Sequence, residues 1–164
     1  MHKLKIVEFA KKMNFKTIGI AFCAGLRKEA STLTDIIEAH DFKVVSTACA
    51  TGGIPKESIG IKEDEKVAIG KFEQMCNPIS QAMVLNDDKT DFNILLGLCV
   101  GHDSLFIKYA NAYTTVLVVK DRVLGHNPVA ALYTADGYYQ RLKRKDFNSA
   151  TQSSSYSENF VNDI

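Results

Sequence analysis

Apolar positions along this chain change period several times, and each change predicts a change of element. Ile6, Val7, Ala10 and Met13 recur at helical spacing and are followed by Asn14, a residue suited to closing a helix. The run over 16–22 is short and mostly apolar, which predicts a strand buried on both faces. Leu26, Ala30, Leu33, Ile36, Ile37 and His40 then mark one face of a second helix. Further strand-like runs cover 42–48, 91–98 and 114–119, with helical stretches between them. Strands alternating with helices imply right-handed βαβ units. The fold expected is therefore a single three-layer α/β domain, doubly wound, with a four-stranded parallel sheet in the order 2-1-3-4. That is the arrangement of Rossmann-like and flavodoxin-like proteins.

Two stretches break the pattern. Residues 50–64 combine Gly52, Gly53 and Pro55 with the charged run Lys62-Glu63-Asp64-Glu65, long for a connection between strand and helix and therefore a candidate functional loop. From 148 onward the chain is rich in serine and poor in apolar residues, so 1–147 is read as the folded domain and 148–164 as a flexible tail. The length of 164 residues and 46% hydrophobic content suit one domain with a substantial core. Lys and Arg number 20 against 19 Asp and Glu, and they are scattered, so no nucleic-acid footprint or attraction to an anionic membrane is expected. No apolar run approaches the ~18 residues of a membrane span, and the opening residues do not read as a signal peptide. A cytoplasmic protein is expected, with its cysteines reduced.

Those cysteines change the picture. Cys23 follows the first strand run, Cys49 the second and Cys99 the third, each close to the carboxyl end. In open parallel sheets, ligands bind in the crevice beyond those ends, where the strand order reverses. Cys76 precedes Asn77-Pro78, a good helix start, so its thiol is expected at a helix N-terminus, where a thiolate is favoured. A free cysteine taken singly is often only a small buried hydrophobe. Four at element ends point instead to one site. No Cys-x-x-Cys pair is present, so such a site must be assembled by the tertiary fold. His102, after the third strand, and His126, after the fourth, lie on the same rim as ligands, acid–base groups or second-layer partners. Each is equally at home as a local hydrogen-bonding residue. Arg122 is an anion-binding candidate, or the partner of Asp121 in a surface pair. Phosphate-loop, serine-elbow and His-Glu-x-x-His motifs are absent.

The segments Met75-Cys76-Asn77-Pro78-Ile79-Ser80-Gln81-Ala82, Gly97-Leu98-Cys99-Val100-Gly101-His102-Asp103-Ser104-Leu105-Phe106 and Lys120-Asp121-Arg122-Val123-Leu124-Gly125-His126-Asn127-Pro128 closely resemble a prokaryotic family. It is the domain-of-unknown-function 1847 family, often labelled predicted metal-binding proteins, and the resemblance runs from about Val7 to Leu142. It implies a host among anaerobic bacteria or archaea and supplies no reaction. Family members usually carry a further cysteine-rich segment ahead of the first helix, from which this chain departs. The resemblance includes Gly19-Ile20-Ala21-Phe22-Cys23, and all four cysteines lie within its span, which favours a site within the domain.

Three functional expectations follow. In the first, Cys23, Cys49, Cys76 and Cys99 are thiolate ligands of an iron–sulfur cluster or of zinc, with His102 and His126 nearby. In the second, the protein is an enzyme with one activated thiol, Cys76 or Cys99, and His102 or His126 as base, acting on a small molecule. In the third, the crevice binds an anion or other small ligand through Arg122 and backbone N–H groups, and the thiols merely pack. The partners these imply are a small molecule or a redox protein, and a second copy of the chain.

Overall fold

A computed structural model describes residues 5–145; His2 and the serine-rich 148–164 lie outside the described residues, as does the expected boundary at 147. Helix α1 (Lys5–Lys12) precedes strand β1 (Thr17–Phe22), and Asn14 closes the helix with the left-handed φ of 58° expected of a cap. A short 3₁₀ turn (Ala24–Leu26) runs into helix α2 (Arg27–Glu38), which leads to strand β2 (Lys43–Ala48). After the long connection come helix α3 (Pro78–Asp87), strand β3 (Phe92–Leu96), helix α4 (His102–Tyr109) and strand β4 (Tyr113–Val118). The short helix α5 (Val129–Tyr133) and a 3₁₀ turn (Gln140–Lys143) follow.

The four strands form one sheet in the order β2-β1-β3-β4, with every pairing parallel, as the alternation predicts. Side-chain alternation gives each central strand two apolar faces. Ile18, Ile20, Phe92, Ile94 and Leu96 pack with Val7 and Ala10 of α1 and Ala30, Leu33 and Ile37 of α2. Ala21 and Leu95 point the other way, against Ala82 and Leu85 of α3 and Phe106 of α4. The second core also contains Cys23 and Cys49. They fall two residues beyond Ala21 and Thr47, so continuing the alternation sends both toward α3 and α4.

Strand β3 ends earlier than its apolar run suggests, at Leu96, because Gly97 turns the chain with a φ of 67°. A Cβ there would lie 2.0 Å from Leu26 Cδ1, so the backbone turn and the fit against the 3₁₀ turn both require glycine. Cys99 consequently sits three residues past the strand rather than beside its end. Helix α5 is only five residues long, Pro128 is its N-cap, and no side chain caps it.

Gly97→Ala is expected to lower stability by about 1–2 kcal/mol from the left-handed backbone alone, with a further loss from the contact with Leu26. A reduced urea midpoint at unchanged m-value checks this, and an unchanged midpoint contradicts it.

Candidate thiol site at the carboxyl edge of the sheet

Phe22 is in register with Ala48 on one side and Leu96 on the other, so β1, β2 and β3 end level. Cys23 and Cys49 are the first residues beyond β1 and β2. Cys23 N–H donates to Leu96 O at 3.1 Å, and its carbonyl accepts from Leu26 N–H at 2.8 Å, which fixes the turn into α2. After β2, Thr51 Oγ1 donates to Ala48 O at 2.6 Å and lies 3.0 Å from Thr47 Oγ1, holding the turn around Cys49. Cys76 arrives from the far end of the connection, because Asn77 N–H donates to Cys49 O at 2.7 Å. Asn77 is the N-cap expected, its Oδ1 accepting from Ser80 N–H at 2.9 Å, with Pro78 at the first helical position.

The sequence reading gave no role to two residues that organise this edge. Gln81, fully buried on α3, donates through Nε2 to Thr47 O at 2.9 Å and Phe22 O at 3.3 Å, clamping the ends of the two strands that carry Cys23 and Cys49. Its Oε1 has no hydrogen-bond partner. Lys120, two residues beyond β4, places Nζ 2.8 Å from Cys23 Sγ and 3.4 Å from Cys99 Sγ. A β-bulge brings it there, since Leu95 pairs with Val116 but Leu96 pairs with Val118. Without that extra residue, Val119 would stand at Lys120's place along the edge. A glutamine within an apolar helix face and a lysine just past a strand are ordinary features of a single sequence, so only the strand ends hinted at them.

All four thiols are free; Cys23 and Cys49 are buried, Cys76 and Cys99 partly so. Three form a chain. Donation to Cys49, together with burial, pushes the Cys23 thiol up to about 12 against the opposing pull of Lys120. Cys49 accepts from Cys23, which lowers it, yet donation to Cys76 and burial leave it raised. Cys76 receives the Cys49 hydrogen bond and is lowered to about 7 despite burial. Burial opposes the charge of Lys120, but the sulfurs of Cys23 and Cys99 outweigh it and hold the ammonium form above its usual range. Backbone donors reach the sulfurs too: Ala24 N–H lies 3.4 Å from Cys49 Sγ, and Gly25 N–H donates to Cys23.

Of the other expected site residues, His102 opens α4 behind Gly101, its N–H donating to Cys99 O at 2.9 Å, while His126 is used locally, its Nδ1 accepting from Asp121 N–H at 3.1 Å. The Asp121 carboxylate accepts from Val123 and Leu124 N–H, and Arg122 is exposed. Among the described residues, no group of three or more His, Cys, Asp or Glu side chains is arranged to hold a metal ion. No helix among them is long and apolar enough to cross a membrane.

The connection between Cys49 and Cys76 is a closed excursion that leaves from and returns to the thiols. It is longer than the expected 50–64. Its base is joined by Met75 N–H to Ile54 O at 2.9 Å, Lys56 N–H to Glu73 O at 3.0 Å and an antiparallel bridge between Pro55 and Gln74. Lys66, its ammonium paired with Glu57 and Glu63, gives the excursion a polar interior of its own.

Comparison with known proteins supplies a family. The model of the family described as "Protein of unknown function (DUF1847)" matches residues 3–117. An uncharacterized protein of Methanocaldococcus jannaschii is 52% identical over 130 residues, which cover 79% of this chain and 65% of the relative. The chain thus spans a little under two thirds of that relative's length. No solved structure matches.

In metal-free, reduced protein, iodoacetamide is expected to label Cys76 first, at a rate that falls as pH drops below about 7, while Cys23, raised to about 12, stays inert through the neutral range. Peptide mass spectrometry over a pH series reads this, and equal labelling of the two would contradict it. Gln81→Leu removes the clamp and is expected to cost about 1–3 kcal/mol, measured by urea unfolding.

Proposed function

The chain belongs to the DUF1847 family, and we propose that in this member Cys23, Cys49, Cys76 and Cys99 bind a metal centre, either zinc or an iron–sulfur cluster, at the carboxyl edge of the sheet. The observation that carries the reading is that N–H donors reach three of the four sulfurs. Lys120 donates to Cys23 and Cys99, and Ala24 to Cys49. A cysteine that merely fills space needs no donors, and a nucleophile needs them at one sulfur. Amide and ammonium N–H groups directed at ligand sulfur are the outer partners a thiolate centre uses.

Charge points the same way. Donation to a neighbouring sulfur and burial hold the protons on Cys23 and Cys49, and repulsion between ionised neighbours adds to it. A bound cation supplies the missing positive charge and releases those protons. Four thiolates fit tetrahedral zinc or the cubane cluster. Since no three of these groups are arranged for an ion as they stand, binding includes rotation of thiol side chains into place.

A second reading rests on Cys76 alone. Its thiol is lowered to about 7 just ahead of an N-capped helix, which are conditions for a nucleophile. Neither His102 nor His126 is hydrogen-bonded to it among the described interactions, so a base would have to come from elsewhere.

Anaerobically purified or reconstituted protein is expected to contain about one centre per chain by metal analysis. A colourless zinc protein or a brown, broadly absorbing one identifies which centre it is. Replacing any of the four cysteines with Ser lowers metal content, and replacing His40 does not. Retention of metal in all four Ser variants, or no metal in the parent protein, overturns the reading; the nucleophile reading then stands if Cys76→Ser alone abolishes a thiol-dependent activity.

A further inference from the structure

The sheet has two edges, and only one of them is defended. Strand β2 opens on Lys43 and carries Ser46 in its middle, both exposed, and a charge on an edge keeps other strands from pairing with it. Strand β4 has no such residue: from Tyr109 to Val119 the chain contains no charge, no proline and no glycine. Among the described residues β4 pairs with β3 alone, so the backbone groups along its other side have no strand to bond. Its side chains are exposed as well, Tyr113 by 69%, Val119 by 45% and Val116 by 38%. The face of β4 toward α1 and α2 is left open too: α5, the helix that follows, has five residues and buries none of them. Two apolar grooves remain on that face. One, of about 420 Å3, lies beside α1 and is lined by Ile6, Phe9, Phe92, Tyr113 and Thr115, with Lys5. The other, of about 390 Å3, lies beside α2 and is lined by Leu33, Ile36, Leu96 and Leu117, with Lys28 and Glu29.

We propose that β4 is the docking edge for a second copy of this chain, the two strands pairing antiparallel about a two-fold axis near Thr115 to give one eight-stranded sheet. The inference is independent of the metal-centre reading and goes beyond it. An uncharged strand fits its own antiparallel copy without opposing like charges. Residues directly opposite in an antiparallel pair share a face of the sheet, so this register sets Tyr113 against the partner's Leu117. The two positions belong to different grooves. Each groove beside α1 thus runs on into the partner's groove beside α2, and the Tyr113 ring, exposed in the single chain, gains apolar neighbours. Charges at the join are complementary. Lys5, with Glu8 beside it at 3.2 Å, comes toward the partner's Lys28 and the partner's Glu29, one cation and one carboxylate from each side. A peptide of another protein could add to the same edge, but grooves at the two ends of β4 with matching charges suit a two-fold better than a single extended segment. The carboxyl ends of the paired strands point in opposite directions, so each thiol rim lies at its own end of the joint sheet.

The test uses the full chain, reduced and with a chelator present, so that neither a disulfide nor a bridging metal joins two copies. Sedimentation velocity from low to high micromolar concentration is expected to show monomer passing to dimer and no larger species, because a two-fold interface closes on itself. Over the same rise in concentration, amide hydrogen exchange is expected to slow about tenfold across 113–119 and to stay unchanged in β2. Tyr113→Lys, at a mostly exposed position, is expected to raise the dimer dissociation constant on the order of tenfold or more, with an unchanged far-ultraviolet circular dichroism spectrum. A chain that stays monomeric throughout leaves the edge to some other partner and overturns the proposal. So does a dimer whose β4 amides exchange as fast as those of the monomer, because another face then joins the copies. Protection across 113–119 in a monomer means that the same chain covers the edge, and it overturns the proposal as well. Hydrogen exchange on the parent protein needs no variant to fold. Metal uptake enters none of these outcomes, so this proposal and the metal-centre reading stand or fall separately.

Discussion

Everything at the functional edge depends on the register of β1 with its two neighbours. A parallel sheet has all its carboxyl ends on one side, but that alone does not make them level. Here Phe22 is paired with both Ala48 and Leu96, so the chain leaves three adjacent strands at one height. The residues that follow are carried over the same rim. Gln81 reinforces the arrangement from α3 by holding Phe22 O and Thr47 O together. A slip of one residue in β2 would turn Cys49 to the opposite face of the sheet and separate it from Cys23 and Cys76. The precision of the site is thus inherited from the core and does not depend on loop side chains finding one another.

The edge places sulfur among strongly apolar neighbours, and this decides its electrostatics. Ala21, Leu95, Leu98 and Phe106 share a cluster with Cys23 and Cys49, so a thiolate there is poorly hydrated. Hydrogen bonding passes along the three thiols and leaves Cys76, the more exposed end, as the one that ionises most easily. Lys120 supplies a full positive charge at the other end. The result is a polarised row, with positive charge and protons near β1 and negative charge near α3.

Much of this was legible in the sequence, for physical reasons that differ residue by residue. The four strands and their order follow from period and from the handedness of βαβ units, because a strand covered on both faces has no alternative to an unbroken apolar run. Convergence of Cys23 and Cys49 followed from their position after strands, and the cap at Asn77 from Asn-Pro chemistry. What stayed hidden depended on tertiary detail. Gly97 ends β3 two residues early because Leu26, far away in sequence, needs the space its side chain would fill. The bulge that sets Lys120 leaves no mark in a run of valines and threonines. Gln81 looked like one polar residue on a helix, and only the meeting of two carbonyls gives it work. For His126 the two readings offered, rim residue or local hydrogen-bonding residue, are separated only by the turn that brings Asp121 N–H to its Nδ1.

The closed base of the excursion between Cys49 and Cys76 carries a consequence for how this site varies among relatives. Bonds at Ile54–Met75, at Lys56–Glu73 and from Asn77 to Cys49 tie the two stems together before the chain departs, so the number of residues beyond them does not set where the sulfurs lie. Insertions and deletions there are geometrically silent at the rim. The distance in sequence between these two cysteines is consequently a poor signature of the site. A search pattern built on the strand-terminal cysteines, the Asn-Pro cap, the glutamine one turn later and the lysine past β4 would follow the chemistry whatever the spacing between the two cysteines.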